Sequence, residues 1–289
     1  LVCTFLELSG LAQFVAASYG AQREVAVVME KEIVTFEKEE ESRLGAAMKP
    51  KRITVAQDET FHERPCLVAI EPVSGYILLE TYAQARQAET WTAAMEKVMA
   101  DKPIEVVQST SDEGRAICGH VATWLGAHHA PDVFHVQQEV STATSGSLAS
   151  KVRQAEKEVV AAEKEVAKQE AAQEKFDRQK RRPGRRPNFE KRVAAARQGA
   201  QAARAHLQQR QQQQERAQQA NQALSRVYHP YNLETGVAQE AAAVAEALAA
   251  QFGELEVITQ EAGLSGPSSQ RIAKAKRVVV QMVATIAFF

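Results

Sequence analysis

Apolar positions in the first 45 residues recur at helical spacing: Leu8, Leu11 and Val15, then Val25, Val28 and Ile33. Tyr19-Gly20 separates the two runs, which predicts two helices joined by a turn. That layout suits either the tail of a helix–turn–helix DNA-binding segment or a pair of core helices. From about residue 50 the period changes. "RITVAQ", "PCLVAIEP", "GYILLETYA", "IEVVQSTS" and "PDVFHVQ" are short, β-rich apolar runs. Helical segments, "AETWTAAMEKVMADK" and "GRAICGHVATWLGA", precede the fourth and fifth of them. The predicted order is therefore βββαβαβ. "EPVSGY" supplies a tight turn, so the first three strands are expected to form an antiparallel meander. The fourth and fifth are expected to join in parallel through their crossover helices, giving a mixed five-stranded sheet of α/β class.

Residues 146–227 follow a different rule. A heptad register steps through Leu148, Val152, Ala155, Val159, Ala162, Val166, Gln169, Gln173 and Phe176. After "RRPGRRPN" it resumes at Phe189, Val193, Ala196, Ala200, Ala203, Leu207, Arg210, Gln214 and Ala217. Proline and glycine in the break end one helix and allow a reversal. The expectation is an antiparallel helical hairpin with arms roughly 50 Å long at 1.5 Å per residue. Its seam is narrow and partly polar, with Arg210 the least favourable occupant; disorder in the glutamine-rich stretch 208–214 is the alternative. Beyond the hairpin, "YHPYNLETG" leads into the helical pattern "VAQEAAAVAEALAAQFG", and another helical stretch follows "GLSGPSSQ". Four segments result: a helical 1–48, a sheet-bearing 49–145, the hairpin 146–227 and a helical 228–289.

Composition alters this picture in two places. The formal net charge is −1, so no global field marks a partner and any nucleic-acid signal must be local. Such a signal exists at the hairpin tip, where Arg178, Lys180, Arg181, Arg182, Arg185, Arg186, Lys191, Arg192 and Arg197 stand against Glu190 alone. Concentrated positive charge of that kind is the footprint of phosphate-backbone contact, without base-specific readout. Three scattered cysteines form neither a CxxC pair nor a disulfide framework, which fits a reducing compartment. No signal peptide or membrane span is evident. The chain begins without Met and stops inside the apolar run "RVVVQMVATIAFF", so it reads as a fragment of a longer protein.

The chemistry lies in the acids. Asp58 is expected at the end of the first strand and Asp112, in "STSDEG", at the end of the fourth. If those strands are neighbours, the two carboxylates repel unless a cation lies between them. Oxygen ligands favour Mg2+ or Mn2+. With a third acid, such a site holds two ions about 3.5–4 Å apart, the arrangement for in-line phosphodiester chemistry. Glu59 and Glu113, each next to one of these residues, are supporting candidates, as are Asp132 and His135 of "PDVFHV", which the pattern places on strand five. Cys118, His120, His128, His129 and His135 invite a zinc reading but lack paired-ligand spacing. Trp91 and Trp124 lie on the crossover helices and are expected in the core.

The strand order with Asp58 and Asp112 resembles that of the DDE transposases of bacterial insertion sequences. The phrases "DETFHERPCLVAIEPVSGYILLE", "STSDEG", "HHAPDVFHVQQE" and "YHPYNLETG" are similar to one group of them over most of residues 50–240. The resemblance implies an RNase H-like core, split by a helical insertion that corresponds to the hairpin. It implies DNA cleavage at element ends and strand transfer with two Mg2+ or Mn2+ ions. It further implies homo-oligomeric assembly on transposon-end and target DNA in the bacterial cytoplasm, with no membrane and no small-molecule cofactor. The third acid then follows the insertion: Glu234 first, Glu240 second, ahead of Glu254, Glu256 and Glu261. Two rivals stand beside this reading. One is an RNase H-like nuclease or resolvase without strand transfer; the other is a non-catalytic DNA-binding or coiled-coil assembly protein derived from a transposase.

Overall fold

The computed structural model describes residues 1–61, 63–178 and 186–289. The chain is mixed α/β, with a five-stranded sheet of antiparallel and parallel strands and several long helices. The strands are β1 (Lys51–Phe61), β2 (Pro65–Glu71), β3 (Tyr76–Tyr82), β4 (Ile104–Ser111) and β5 (His128–Pro131), in the order β3-β2-β1-β4-β5. The helices are α1 (Val2–Leu8), α2 (Tyr19–Ala47), α3 (Ala88–Met99), α4 (Arg115–His120), α5 (Val133–Asp177), α6 (Phe189–Val227), α7 (Ala241–Ala262), α8 (Gly266–Arg277) and α9 (Val279–Phe288). Two compact units divide the chain: residues 1–109 with 115–127, and residues 110–114 with 128–289.

In the first unit, β1, β2 and β3 form the expected meander, with Asp58 opposite Val68 and Val68 opposite Glu80. The β2–β3 turn is built by Glu71, whose carboxylate accepts from the Val73 N–H at 3.0 Å and the Ser74 N–H at 2.7 Å, and by Gly75 at φ +73°. Period-2 alternation sends Ile53, Val55 and Gln57 inward. There Ile53 and Val55 meet Trp91 and Met95, which stand four apart on α3 and are fully buried. Burial of side chains this size stabilises by about 1.5–3 kcal/mol each. β1 does not stop at Asp58: Thr60 and Phe61 continue the ladder against Cys66 and Pro65, so Asp58 lies inside the strand. The N-terminal pattern is also corrected. Ser18 caps α2 by accepting the Ala21 N–H at 3.2 Å, so the break precedes Tyr19. Only Gly45 of α2 is buried, leaving Val25, Val28 and Ile33 exposed; within this chain α2 is not a core helix.

The second unit is helical around one apolar cluster. Val136, Val140 and Leu148 of α5 meet Ala217 and Leu224 of α6, Leu248 and Phe252 of α7, Ile272 of α8 and Met282 of α9. "PDVFHVQ" is not a strand. Pro131 ends β5, and Asp132 caps α5 by accepting the Phe134 N–H at 2.8 Å. From there Val133, Val136 and Val140 follow helical spacing onto the core, and a run of β-branched residues that reads as a strand becomes one helix face. α5 then runs unbroken through position 145 into the hairpin.

The hairpin follows the heptad register closely. Every seam position from Leu148 to Phe176 and from Phe189 to Ala217 is buried or half-buried. Its antiparallel sense shows in the ion pairs Arg197–Glu170 at 2.7 Å and Arg204–Glu163 at 2.6 Å, and in the Phe176–Phe189 ring contact at 5.2 Å. Residues 208–214 are helical, and the half-buried Arg210 is served by its own helix, donating to His206 at 3.1 Å and Gln213 at 3.0 Å. No helix among the described residues is long and apolar enough to cross a membrane.

Candidate functional site

The first unit separates the two acids of the Asp58-Glu59 pair. Side chains of consecutive strand residues point to opposite faces. Glu59 therefore shares the inward face with Val55 and Gln57, where its carboxylate accepts the Trp91 indole N–H at 2.9 Å and pairs with Arg86. It is a structural ion. Asp58 is exposed, and one of its oxygens accepts the Glu59 N–H at 2.7 Å. It shares its face with Thr54, whose hydroxyl reaches Gln108 of β4 at 3.3 Å, while the inward Gln57 accepts from the buried Ser109 hydroxyl at 2.6 Å. These side-chain bonds tie β1 to β4 from both faces.

His120, also in this unit, sits between Trp91 and Trp124 in an aromatic stack, with ring centroids 6.3 and 5.4 Å away. Its Nδ1 shares a 2.9 Å hydrogen bond with Thr92, and burial pushes its pKa down to about 4. An uncharged imidazole in an aromatic sandwich is a packing element.

Wholly within the second unit lies a cavity of about 330 Å³ that gathers Asp112, Glu113, Asp132, His135 and Glu139 with Arg271 and Lys274. Three local devices position its acids. Asp112 follows β4 directly and folds back on its own turn, accepting the Gly114 N–H at 2.9 Å. Glu113 is held at φ 65°, the one positive value at a non-glycine among the described residues, and its carboxylate meets His129 Nε2 at 3.1 Å. A strained, hydrogen-bonded turn at the end of a strand is a place where fold stability is commonly traded for side-chain placement. Asp132 follows β5, and its backbone N–H donates to Ser111 O at 3.1 Å, joining the ends of β5 and β4. One carboxylate oxygen caps α5 and the other lies 3.7 Å from His135. Beside this group, burial and then the negative field of Glu113 and Asp132 raise the pKa of the Tyr228 phenol. Near the same strand end, the Ser111 hydroxyl is buried with no hydrogen-bond partner among the described residues.

The other expected residues are placed elsewhere. Glu234 does not start a helix. It occupies an exposed turn closed by Asn232, whose side chain accepts the Glu234 and Thr235 N–H groups at 3.0 Å each, and by the Tyr231–Ala238 bridge. Glu240 is the residue before α7, and neither acid lines the cavity. His128 bonds Thr285 at 2.9 Å and stacks on Phe288, so His128, His129 and His135 serve three different partners. Of the basic tip, Lys180, Arg181, Arg182 and Arg185 lie outside the described residues. Arg178 is paired with Glu174 and Arg186 with Asp177, whereas Arg192 lies over the Phe189 ring at 6.0 Å and Lys191 is exposed.

Glu139, Arg271 and Lys274 were not among the expected site residues. The signal for Glu139 is the spacing Asp132, His135, Glu139, which is one helix face once the segment is recognised as helical. Arg271 and Lys274, three apart in "QRIAKAK", carry no signal of their own. Comparison with protein-family models, with curated proteins and with solved structures finds no match to this chain.

Proposed function

We propose that this protein is a metal-dependent polynucleotidyl transferase with an RNase H-like core, acting on DNA in the manner of a DDE transposase. The observation that carries the reading is the gathering of Asp112, Glu113 and Asp132 in one cavity where β4 and β5 end. The strand order supports it, because β1, which bears Asp58, is the neighbour of β4 on the side away from β5.

Carboxylates are the oxygen donors that a hard divalent cation takes, and Asp112, Glu113 and Asp132 line the cavity, with the partnerless Ser111 hydroxyl buried near the same strand end. No three of these acids bring their oxygens within 4.8 Å of one another, so an ion would have to draw them together. In this reading Asp58, Asp112 and Asp132 would hold Mg2+ or Mn2+, with Glu113 fixed beside them by His129. A bound ion of this kind supplies Lewis-acid polarisation of a phosphodiester and of its attacking hydroxyl. The chain's own contribution is to fix Asp58 within β1, Asp112 just after β4 and Asp132 at the capped start of α5, which limits the reorganisation needed when substrate arrives. Glu234 keeps its candidacy through its place after the hairpin, and is tested with the others. Lys191 and Arg192, with the rest of the hairpin tip, would contact the phosphate backbone.

The test is a labelled duplex incubated with the protein and Mg2+, scored for nicking and for joined products. Asp58→Asn, Asp112→Asn and Asp132→Asn should each abolish product, while Glu234→Gln reports on the position after the insertion. Nicking without joined products selects the nuclease reading. Activity that survives all of the aspartate changes eliminates the acid site.

A further inference from the structure

Glu139 is the most engaged acid of the cavity. Lys274 Nζ donates to one of its oxygens at 2.7 Å and Arg271 to the other at 2.7 Å. Its side chain is only 24% exposed, against 49% for Arg271 and 70% for Lys274. The hydrogen bond from Lys274, followed by that from Arg271, keeps the Glu139 pKa below the usual carboxylate range. Arg271 and Lys274 stand three apart on α8 and so present their cations from one face. One cation on each oxygen of a planar anion is also how this pair would meet two oxygens of a phosphate.

The charge of the cavity decides when such an exchange can happen. Four carboxylates, Asp112, Glu113, Asp132 and Glu139, face the two cations Arg271 and Lys274, so acidic groups outnumber basic ones. A phosphate entering alone would be repelled. Entry needs a divalent cation on the acids, or the withdrawal of Glu139 from its partners.

We propose that Arg271 and Lys274 form a phosphate-binding subsite of this cavity, and that Glu139 occupies it as an internal stand-in when no nucleic acid is bound. The proposal rests on the phosphodiester reading above and names the groups that receive the phosphate. Glu139 then acts as a mask: substrate must displace it, so apparent affinity is lowered by the fraction of time the clamp is closed. The two cations are the more exposed members of the cluster and can turn to a ligand without unpacking the core.

The test is binding of a fluorescein-labelled single-stranded tetranucleotide, followed by anisotropy at several salt concentrations, with Mg2+ and with EDTA. Glu139→Gln should tighten binding, by roughly tenfold if the clamp is closed about nine-tenths of the time. Arg271→Gln with Lys274→Gln should weaken it and make the salt dependence shallower, by roughly 0.7 in log–log slope for each phosphate no longer neutralised. The charge-conserving pair Arg271→Lys with Lys274→Arg should keep the wild-type slope, and thermal unfolding of each variant distinguishes weakened phosphate binding from a damaged fold. Binding that Glu139→Gln leaves unchanged or weakens, or a slope that the double glutamine variant leaves unchanged, overturns the subsite. Mg2+-dependent cleavage is scored on a separate duplex. Opposite shifts in tetranucleotide affinity without cleavage keep the subsite and remove the transferase reading; cleavage without those shifts does the reverse.

Discussion

The indole N–H of Trp91 donates to Glu59 at 2.9 Å, and Arg86 holds the other oxygen of the same carboxylate. The Glu59 side chain is 8% exposed, so this near-buried ion is fully engaged by the fold. Its neighbour Asp58, on the opposite face of β1, is left free for other work. Removing one partner of a buried hydrogen-bonded ion costs more than the bond itself contributes, because the remaining polar group has neither water nor partner. Glu59→Ala should therefore destabilise by roughly 2–3 kcal/mol, whereas Asp58→Ala, at an exposed position, should stay within about 0.5 kcal/mol. Urea unfolding of the two variants checks the contrast; equal losses would show that the division of labour between the neighbours is wrong.

His120 makes the protein sensitive to acid. Its folded pKa is lowered from 6.5 to about 4 by burial, so the unfolded chain binds a proton more readily than the folded one between those values. The associated stability is complete above about pH 6.5 and is lost as pH falls toward 4, reaching roughly 2–3 kcal/mol at pH 4.5. His120→Phe keeps an aromatic ring between Trp91 and Trp124 and cannot titrate. The drop in urea midpoint between pH 7 and pH 4.5 should be smaller in this variant than in wild type. An identical drop would remove His120 as its source.

The hairpin should be graded in stability along its length. At its base, Leu148, Val152 and Ala155 face a packed core, as do Ala217, Ala220 and Leu224. Farther out the α5 seam from Val159 to Phe176 is only half-buried. The cross-hairpin pairs Arg197–Glu170 and Arg204–Glu163 are exposed and contribute under about 1 kcal/mol each. Amide hydrogen exchange should be slowest near Leu148 and Leu224 and faster along residues 159–173. Leu224→Ala should cost about 2–5 kcal/mol, and Val166→Ala, at a half-buried position, less than about 1.5 kcal/mol. Uniform protection from base to tip would contradict the gradient.

Much of this fold is legible in the sequence, and the exceptions have physical causes. The meander and the heptad seam follow from period and turn chemistry, which act locally; the placing of β4 beside β1 is a long-range pairing that the sequence leaves as a condition. "PDVFHVQ" misleads because Val133, Phe134 and Val136 have strand preferences, while the Asp132 cap and the apolar face at Val133, Val136 and Val140 impose a helix. That misreading hides Glu139, which shares a helix face with Asp132 only if the segment is helical. Asp58 is expected at the end of the first strand but lies inside it, because the strand's continuation to Phe61 depends on pairing with β2, which local pattern does not reveal. Glu234 looks like a helix start because "LETG" resembles one; Asn232 instead closes a turn on it. The clamp of Arg271 and Lys274 on Glu139 joins residues more than 130 positions apart and leaves no local trace.

Mn2+ binding, measured by loss of the free-ion electron paramagnetic resonance signal, tests the central claim most directly, because it needs neither a DNA sequence nor turnover. The acid site predicts saturable binding that weakens by roughly tenfold or more in Asp112→Asn and in Asp58→Asn, with Glu59→Gln close to wild type. Binding that is absent in wild type, or indifferent to both aspartate changes, would contradict it.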